Sequence, residues 1–246
     1  IQKNTNFSQT DVLQKFVIPL SDNTEFDFNF QYSVSSNNPR FDNLTEYSGG
    51  ELKFAEWYYG PQFRLLVAYT LELNNATKFY DNARIILAYQ AIEESRIDRR
   101  FQKAGRNHRI EQLDIYTLNI DLMKKKGAHE LRYGAEAYLN LVNSTAFTED
   151  IFTGEQTPLN TRYPDGGSSM QGAALYASHT FEISEKLILN DGIRLSQVGL
   201  QAQFMDQTFF PFPFNQIQQN HLALNGNLGL IYMPTQKLRV SLNGST

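Results

Sequence analysis

From residue 25 to residue 32 apolar and polar side chains alternate without a break. Phe26, Phe28, Phe30 and Tyr32 fall on one parity, and Glu25, Asp27, Asn29 and Gln31 on the other. Successive side chains of an extended strand point to opposite faces, so this pattern predicts a strand with one apolar and one polar side. It returns in 63–73, where Phe63, Leu65, Val67, Tyr69, Leu71 and Leu73 oppose Gln62, Arg64, Thr70 and Glu72, and again in 129–141, 222–232 and 238–242. Weaker runs of the same period occupy 6–18, 82–96, 109–123, 169–182 and 187–205, which makes about ten strands in all. The one helical exception is expected near Leu52 to Tyr59.

Strand length and connection length narrow the architecture. Globular strands usually have about 5 to 6 residues and tilted membrane strands about 9 to 11, and these runs sit at the longer end. Taken alternately, the connections divide into compact ones (19–23, 74–81, 124–127, 184–186 and 234–236) and long ones (36–61, 97–108, 143–169 and 206–219). Short turns at one rim and long loops at the other are the polarity of an outer-membrane barrel. Phe16, Phe26, Phe181 and Tyr232 lie near the short turns, where an interfacial aromatic girdle belongs; ordinary strand-end packing is the plainer account of the same residues. The polar parity carries Glu25, Asp27, Arg64, Asp121, Glu130, Arg132, Glu136, Arg194 and Arg239, which suits a hydrated or plugged lumen better than a packed interior. Asp191 alone falls on the apolar parity of its strand, a place that a bulge, a rim position or a shifted register would relieve.

Composition removes several function classes. The chain is 41% hydrophobic and 20% charged, which excludes a mostly disordered polypeptide, and its 18 Phe and 13 Tyr favour strands. A net charge of −4 with scattered Lys and Arg leaves no basic field for phosphate backbones, so nucleic acid is not an expected partner. There is no Cys, hence no disulfide framework and no thiolate site. No apolar run approaches the roughly 20 residues of a membrane helix. The four histidines, His108, His129, His179 and His221, are far apart in sequence and none carries metal-ligand spacing, so no metal or cofactor is expected and rim side chains are the plain reading of His129 and His179. Ser, His and Asp are present without a nucleophile elbow, and Asp165-Gly166-Gly167 reads as turn chemistry, so no catalytic residue is assigned.

At a set of stretches taken in order, the chain resembles the TonB-dependent outer-membrane receptors. These are AEWYYGPQ from Ala55, AYQAIEESRIDRR from Ala88, HELRYGAEAY from His129, LNDGIRLS from Leu189, and LNGNLGLIYMPTQKLRVSLNGST from Leu224. The resemblance implies an all-β fold, an antiparallel transmembrane β-barrel, with residues 1–246 supplying about ten strands of a larger barrel domain. It also implies a plug domain and a TonB-coupling segment outside this chain, a location in the outer membrane of a Gram-negative bacterium, and contact with outer-membrane lipid and lipopolysaccharide. The implied activity is capture of a small scarce nutrient such as a ferric siderophore and its TonB-coupled import, with no covalent reaction. A complete smaller barrel acting as a passive porin, an outer-membrane hydrolase and a soluble all-β binding module stay open as alternatives.

Ligand contacts are sought in the long loops. Trp57, Tyr58 and Tyr59, with Arg40 nearby, combine amphipathic aromatics and a guanidinium. Arg99 and Arg100 belong to a cluster with Arg96, Arg106 and Arg109 that suits an anionic chelate, although Glu93, Glu94, Asp98 and Glu111 are at hand and a self-paired surface is the plainer reading. The run from Phe209 to Phe214, with Pro211 and Pro213 between phenylalanines, is either a flap over the lumen or a segment at the membrane surface.

Overall fold

The computed structural model describes residues 6–246. β1 (Gln9–Ser21) and β2 (Thr24–Ser35) form a hairpin. A long connection follows, holding β3 (Asn38–Pro39), α1 (Phe41–Leu44), β4 (Tyr47–Ser48), β5 (Glu51–Leu52) and β6 (Phe54–Tyr59). Then come β7 (Phe63–Leu73), β8 (Asn82–Arg100), β9 (Gly105–Lys126), β10 (His129–Asp150), β11 (Gln156–Pro158), β12 (Ser168–Ser184), β13 (Leu187–Gln203), β14 (Gln216–Thr235) and β15 (Leu238–Ser245). The main sheet runs β1-β2-β7-β8-β9-β10-β12-β13-β14-β15, every pair antiparallel, with β3, β6 and β11 added at one end of the strands. β1 and β15 do not pair with each other, so the sheet is an open arc.

Register carries the alternation of each strand across the sheet. Tyr69 faces Leu87, Leu87 faces Leu118, Leu118 faces Ala137, and Leu175 faces Leu195, which faces Leu224, so the apolar parities share one face. That face is bare: Leu175 is 62% exposed, Ile193 56% and Leu222 73%. The buried hydrophobic residues, among those described, are Ala83, Ile97, Ala174 and Ala202, and three of the four are alanines. A soluble sandwich would have turned its leucines inward, because burying each is worth about 1.5–3 kcal/mol. Here no layer of the described residues covers them, the arrangement of a sheet whose apolar face is built to meet hydrocarbon.

The opposite face is polar and cross-linked. Arg194 pairs with Glu136, the Tyr176 hydroxyl donates to Asp121, Lys15 meets Asp27 at 3.0 Å and Arg84 meets Glu72 at 3.3 Å. Two tyrosines lie over glycines of the neighbouring strand. Tyr138 is the register partner of Gly172, where an added Cβ would sit 2.5 Å from its ring, and Tyr176 is the partner of Gly134. Each ring shields backbone that glycine leaves open, and two such locks in opposite directions pin β10 against β12.

Length separates the two ends. β9 and β10 each have 22 residues, and at about 3.3 Å per residue each reaches roughly 73 Å, well beyond an apolar band of about 25 Å. The excess lies at the long-connection end, and the expected loops there change accordingly. Residues 97–108 are not a loop: β8 and β9 stay paired to Arg99 and Arg106 and close through residues 101–104. Residues 143–150 likewise continue β10, pairing as far as Asp150 with Gly105, and 216–219 belong to β14. The helix expected near Leu52 to Tyr59 is instead mostly β6, which pairs with β8 above β7 and continues the same edge, Gly60 N–H donating to the Ser95 carbonyl at 2.9 Å. Outside the membrane both faces of a strand meet water, so the pairing carries no alternating signature there. The described helix is the single turn α1.

Asp191 stands on the bare apolar face without a bulge. The β12–β13 register is unbroken from Ser168 opposite Ala202 to Glu182 opposite Ile188, and Asp191 is the partner of His179. The His179 imidazole meets its carboxylate at 3.1 Å. His179 in turn meets His129 at 3.0 Å, so two histidines far apart in sequence are neighbours in the fold.

Candidate functional site

The long-connection end of the sheet gathers most of the residues singled out above. β3 pairs with β6, Asn38 opposite Tyr59 and Pro39 opposite Tyr58, and the Arg40 N–H donates to the Trp57 carbonyl at 3.0 Å. This sets the Arg40 guanidinium 5.3 Å from the Trp57 ring centre and 5.6 Å from that of Tyr59. The two rings meet edge to face, 4.9 Å apart. Arg40 also forks onto Asp42, at 2.9 and 2.5 Å, and its charged state is held by that carboxylate while Asp42 is held low by Arg40. In β6 Trp57 and Tyr59 share the parity of Asp98 and Arg96 in β8, which is the polar face of the sheet. Arg40, Trp57 and Tyr59 thus form an amphipathic patch above the polar lumen side.

Tyr58 and Arg99 belong to the other face. Glu56 accepts from Arg99 at 2.9 and 3.0 Å and from Arg106 at 2.7 and 3.2 Å. Burial pushes the Glu56 carboxyl up, but Arg106 and Arg99 pull it down by more, leaving it below the usual glutamate value. Burial also pushes the Tyr58 hydroxyl up. The Arg99 side chain is only 18% exposed and gives a further hydrogen bond to the Lys103 carbonyl, so its donors are spent on the protein. Arg100 is exposed and lies 4.6 Å over the Phe54 ring, free to face a ligand.

Groups that sequence reasoning did not connect complete this end. Arg109 reaches Asp98 at 3.3 Å and Asn160 at 3.1 Å, and Arg162 reaches Glu111 at 3.2 Å. Burial lowers the Arg109 pKa, and the like charges of Arg96 and Arg162 act in the same direction. Arg162 lies 51 residues from Glu111, and no local signal could have paired them. The phenylalanine run folds on itself: Phe210, Phe212 and Phe214 stack in series and Phe204 packs edge-on against Phe212 and Phe214. With Asn160, Arg162 and Tyr163 it lines a cleft of about 470 Å³. The turn expected at Asp165-Gly166-Gly167 is there, the Gly167 N–H donating to the Pro164 carbonyl at 3.1 Å, and the Asp165 side chain instead reaches across to the next long connection, accepting from the Met205 and Asp206 N–H groups at 2.8 and 2.7 Å. Among the described residues no His, Asp and Glu cluster is arranged to hold a metal ion.

An open antiparallel arc with a bare apolar face, a cross-linked polar face, tight turns at one end and overlong hairpins at the other defines a segment of an outer-membrane-type β-barrel. The family described as "TonB dependent receptor-like, beta-barrel" matches residues 7–246, and the chain belongs to it. Among solved structures, the copper transporter OprC superposes with a TM-score of 0.73 at 9% identity, over 96% of this chain and 36% of that one. The ferric citrate transporter FecA, in its unliganded form, gives 0.62 at 12% identity over 99% and 36%. The ferric yersiniabactin uptake receptor FyuA from Yersinia pestis gives 0.61 at 15% over 96% and 37%. The chain therefore spans little more than a third of each of these structures, and the likeness is one of fold. No curated protein matches the chain.

Proposed function

We propose that this chain is barrel from an outer-membrane receptor that captures a scarce nutrient, such as a ferric siderophore, and imports it with TonB-coupled energy. Family membership supports the transport class, and proteins of similar fold include a ferric citrate transporter, a ferric yersiniabactin uptake receptor and a copper transporter. The observation that carries the reading is the patch of Arg40, Trp57 and Tyr59 on the polar face at the long-connection end, where an extracellular ligand would arrive. A guanidinium beside two rings suits an oxygen-rich, partly aromatic anion, matched by charge and by stacking. Arg100 adds an exposed cation, while Arg99 and Arg106 hold β6 in place from the other face through Glu56, the face on which Tyr58 also lies. The plug and the TonB-contacting segment belong to the rest of the receptor, and lipopolysaccharide and phospholipid surround the apolar face.

The test uses the full-length receptor in iron-limited Gram-negative cells offered a panel of radiolabelled ferric citrate, ferric catecholate and ferric hydroxamate complexes. Uptake of one of them that stops when TonB is deleted is the expected result. Arg40→Ala and Trp57→Ala should each raise its half-saturation concentration roughly tenfold, the usual size for an interface anchor. Passage of unrelated small solutes at equal rates with and without TonB would replace the receptor by a passive pore.

A further inference from the structure

The row His129, His179 and Asp191 crosses three strands on the apolar face at the short-turn end, and ligand capture does not use it. His129 opens β10, His179 lies in β12 and Asp191 in β13, so three strands contribute to one hydrogen-bonded chain at the short-turn end. With both imidazoles neutral, its direction follows from chemistry. An ionised carboxylate only accepts, so His179 Nδ1 carries the proton given to Asp191; His179 Nε2 is then a lone pair and takes the proton of His129 Nδ1. The relay leaves His129 Nε2 as an acceptor that no group among the described residues meets. His129 is exposed, and its ring is fixed by stacking on Phe181 at 4.2 Å.

Lys126 stands beside this acceptor. It is the register partner of His129 across the turn at Gly127 and Ala128, on the same face, and it is exposed with no ion-pair partner among the described residues. Phe181 and Leu189 lie level with His129 on the same face, and Leu131 continues it toward the middle of the strands. A cation and a neutral acceptor side by side, above an apolar floor, match a ligand with an anion, an adjacent hydrogen-bond donor and hydrocarbon tails. We propose that this corner binds the headgroup of an aminophospholipid of the periplasmic leaflet, Lys126 taking the phosphate and His129 Nε2 accepting from the primary ammonium. Asp191 has a use here on a face where a carboxylate is otherwise expensive: it fixes both ring tautomers. A choline headgroup has the phosphate but no N–H to donate, so the site should tell the two apart.

The inference rests on the membrane placement proposed above, and the experiment separates the two. Full-length receptor is first shown to fractionate with outer membranes and to be heat-modifiable; failure there removes the membrane reading itself. The folded receptor in detergent is then titrated with phosphatidylethanolamine or phosphatidylcholine of the same chains, and retained lipid is counted by native mass spectrometry. Retention of the ethanolamine lipid should exceed that of the choline lipid about fivefold, the size of one net hydrogen bond. The preference should vanish in His129→Phe, which keeps the stacked ring, whereas Lys126→Gln, a turn-side change that leaves the fold intact, should lower retention of both lipids, because both carry the phosphate. Equal retention of both lipids by the unchanged receptor, a preference that survives His129→Phe, or undiminished retention of both lipids in Lys126→Gln overturns the proposal. Displacement of the lipid by soluble phosphoethanolamine at equal concentration would also overturn it, since the acyl chains would then contribute nothing.

Discussion

Glu56 accepts from two guanidiniums at once, and this makes it the residue on which the outer end of β6 depends. Because its carboxyl is held below the ordinary value of 4.5, its contribution is complete above that value and is lost as the pH falls through the depressed one. Hydrogen exchange of the amides in 96–100, corrected for intrinsic rates, should show faster local opening at about pH 3 than at about pH 6. Glu56→Gln should produce the same loosening at neutral pH, by about 1 kcal/mol or roughly fivefold in rate, a figure discounted for partial exposure. The membrane-spanning amides should not respond to either change. Arg40 depends on a different balance. Its Asp42 fork is exposed and worth little, so its value lies in the pose it takes against Trp57 and Tyr59.

At the scale of the element, the paired strands β10 and β12 carry the two tyrosine-over-glycine locks. Gly172→Val should force Tyr138 off its neighbour and cost about 1–3 kcal/mol by overpacking, read as a lower unfolding midpoint of the heat-modifiable form. Gly199→Ala, at a position with ordinary contact distances in the neighbouring strand, is the control. The elements most legible in the sequence were those inside the apolar band. β7 begins and ends where its alternation does, and β2 extends only slightly beyond 25–32. The outer halves of β8, β9 and β10 were not legible, because 97–108 and 143–150 are wet on both faces and nothing selects a parity. The WYY stretch read as helical for the same reason. Arg40, Trp57 and Tyr59 were visible as residue types suited to a ligand, but the split that sends Tyr58 and Arg99 to the opposite face is a matter of β6–β8 register. Asp191 was visible only as an objection, since its partner His179 lies on another strand.

For the whole molecule, an apolar face that no layer of this chain covers and a polar face tied by cross-strand ion pairs together require two different surroundings. Leu195 and Ser196 are neighbours in β13 that test this by substitution: Leu195→Arg should destabilise the folded barrel in bilayers by about 2–4 kcal/mol, and Ser196→Arg by much less. The most direct measurement places nitroxide labels singly at 118, 119, 120 and 121 of β9 in the full-length receptor reconstituted in phospholipid. Collision rates with oxygen and with a water-soluble nickel chelate are then compared. The account predicts period-two behaviour, with the labels replacing Leu118 and Ile120 meeting oxygen and those replacing Asn119 and Asp121 meeting the chelate or protein. Equal access of the chelate to all four positions, or the opposite phase, would contradict it and place the apolar face inside a water-soluble fold.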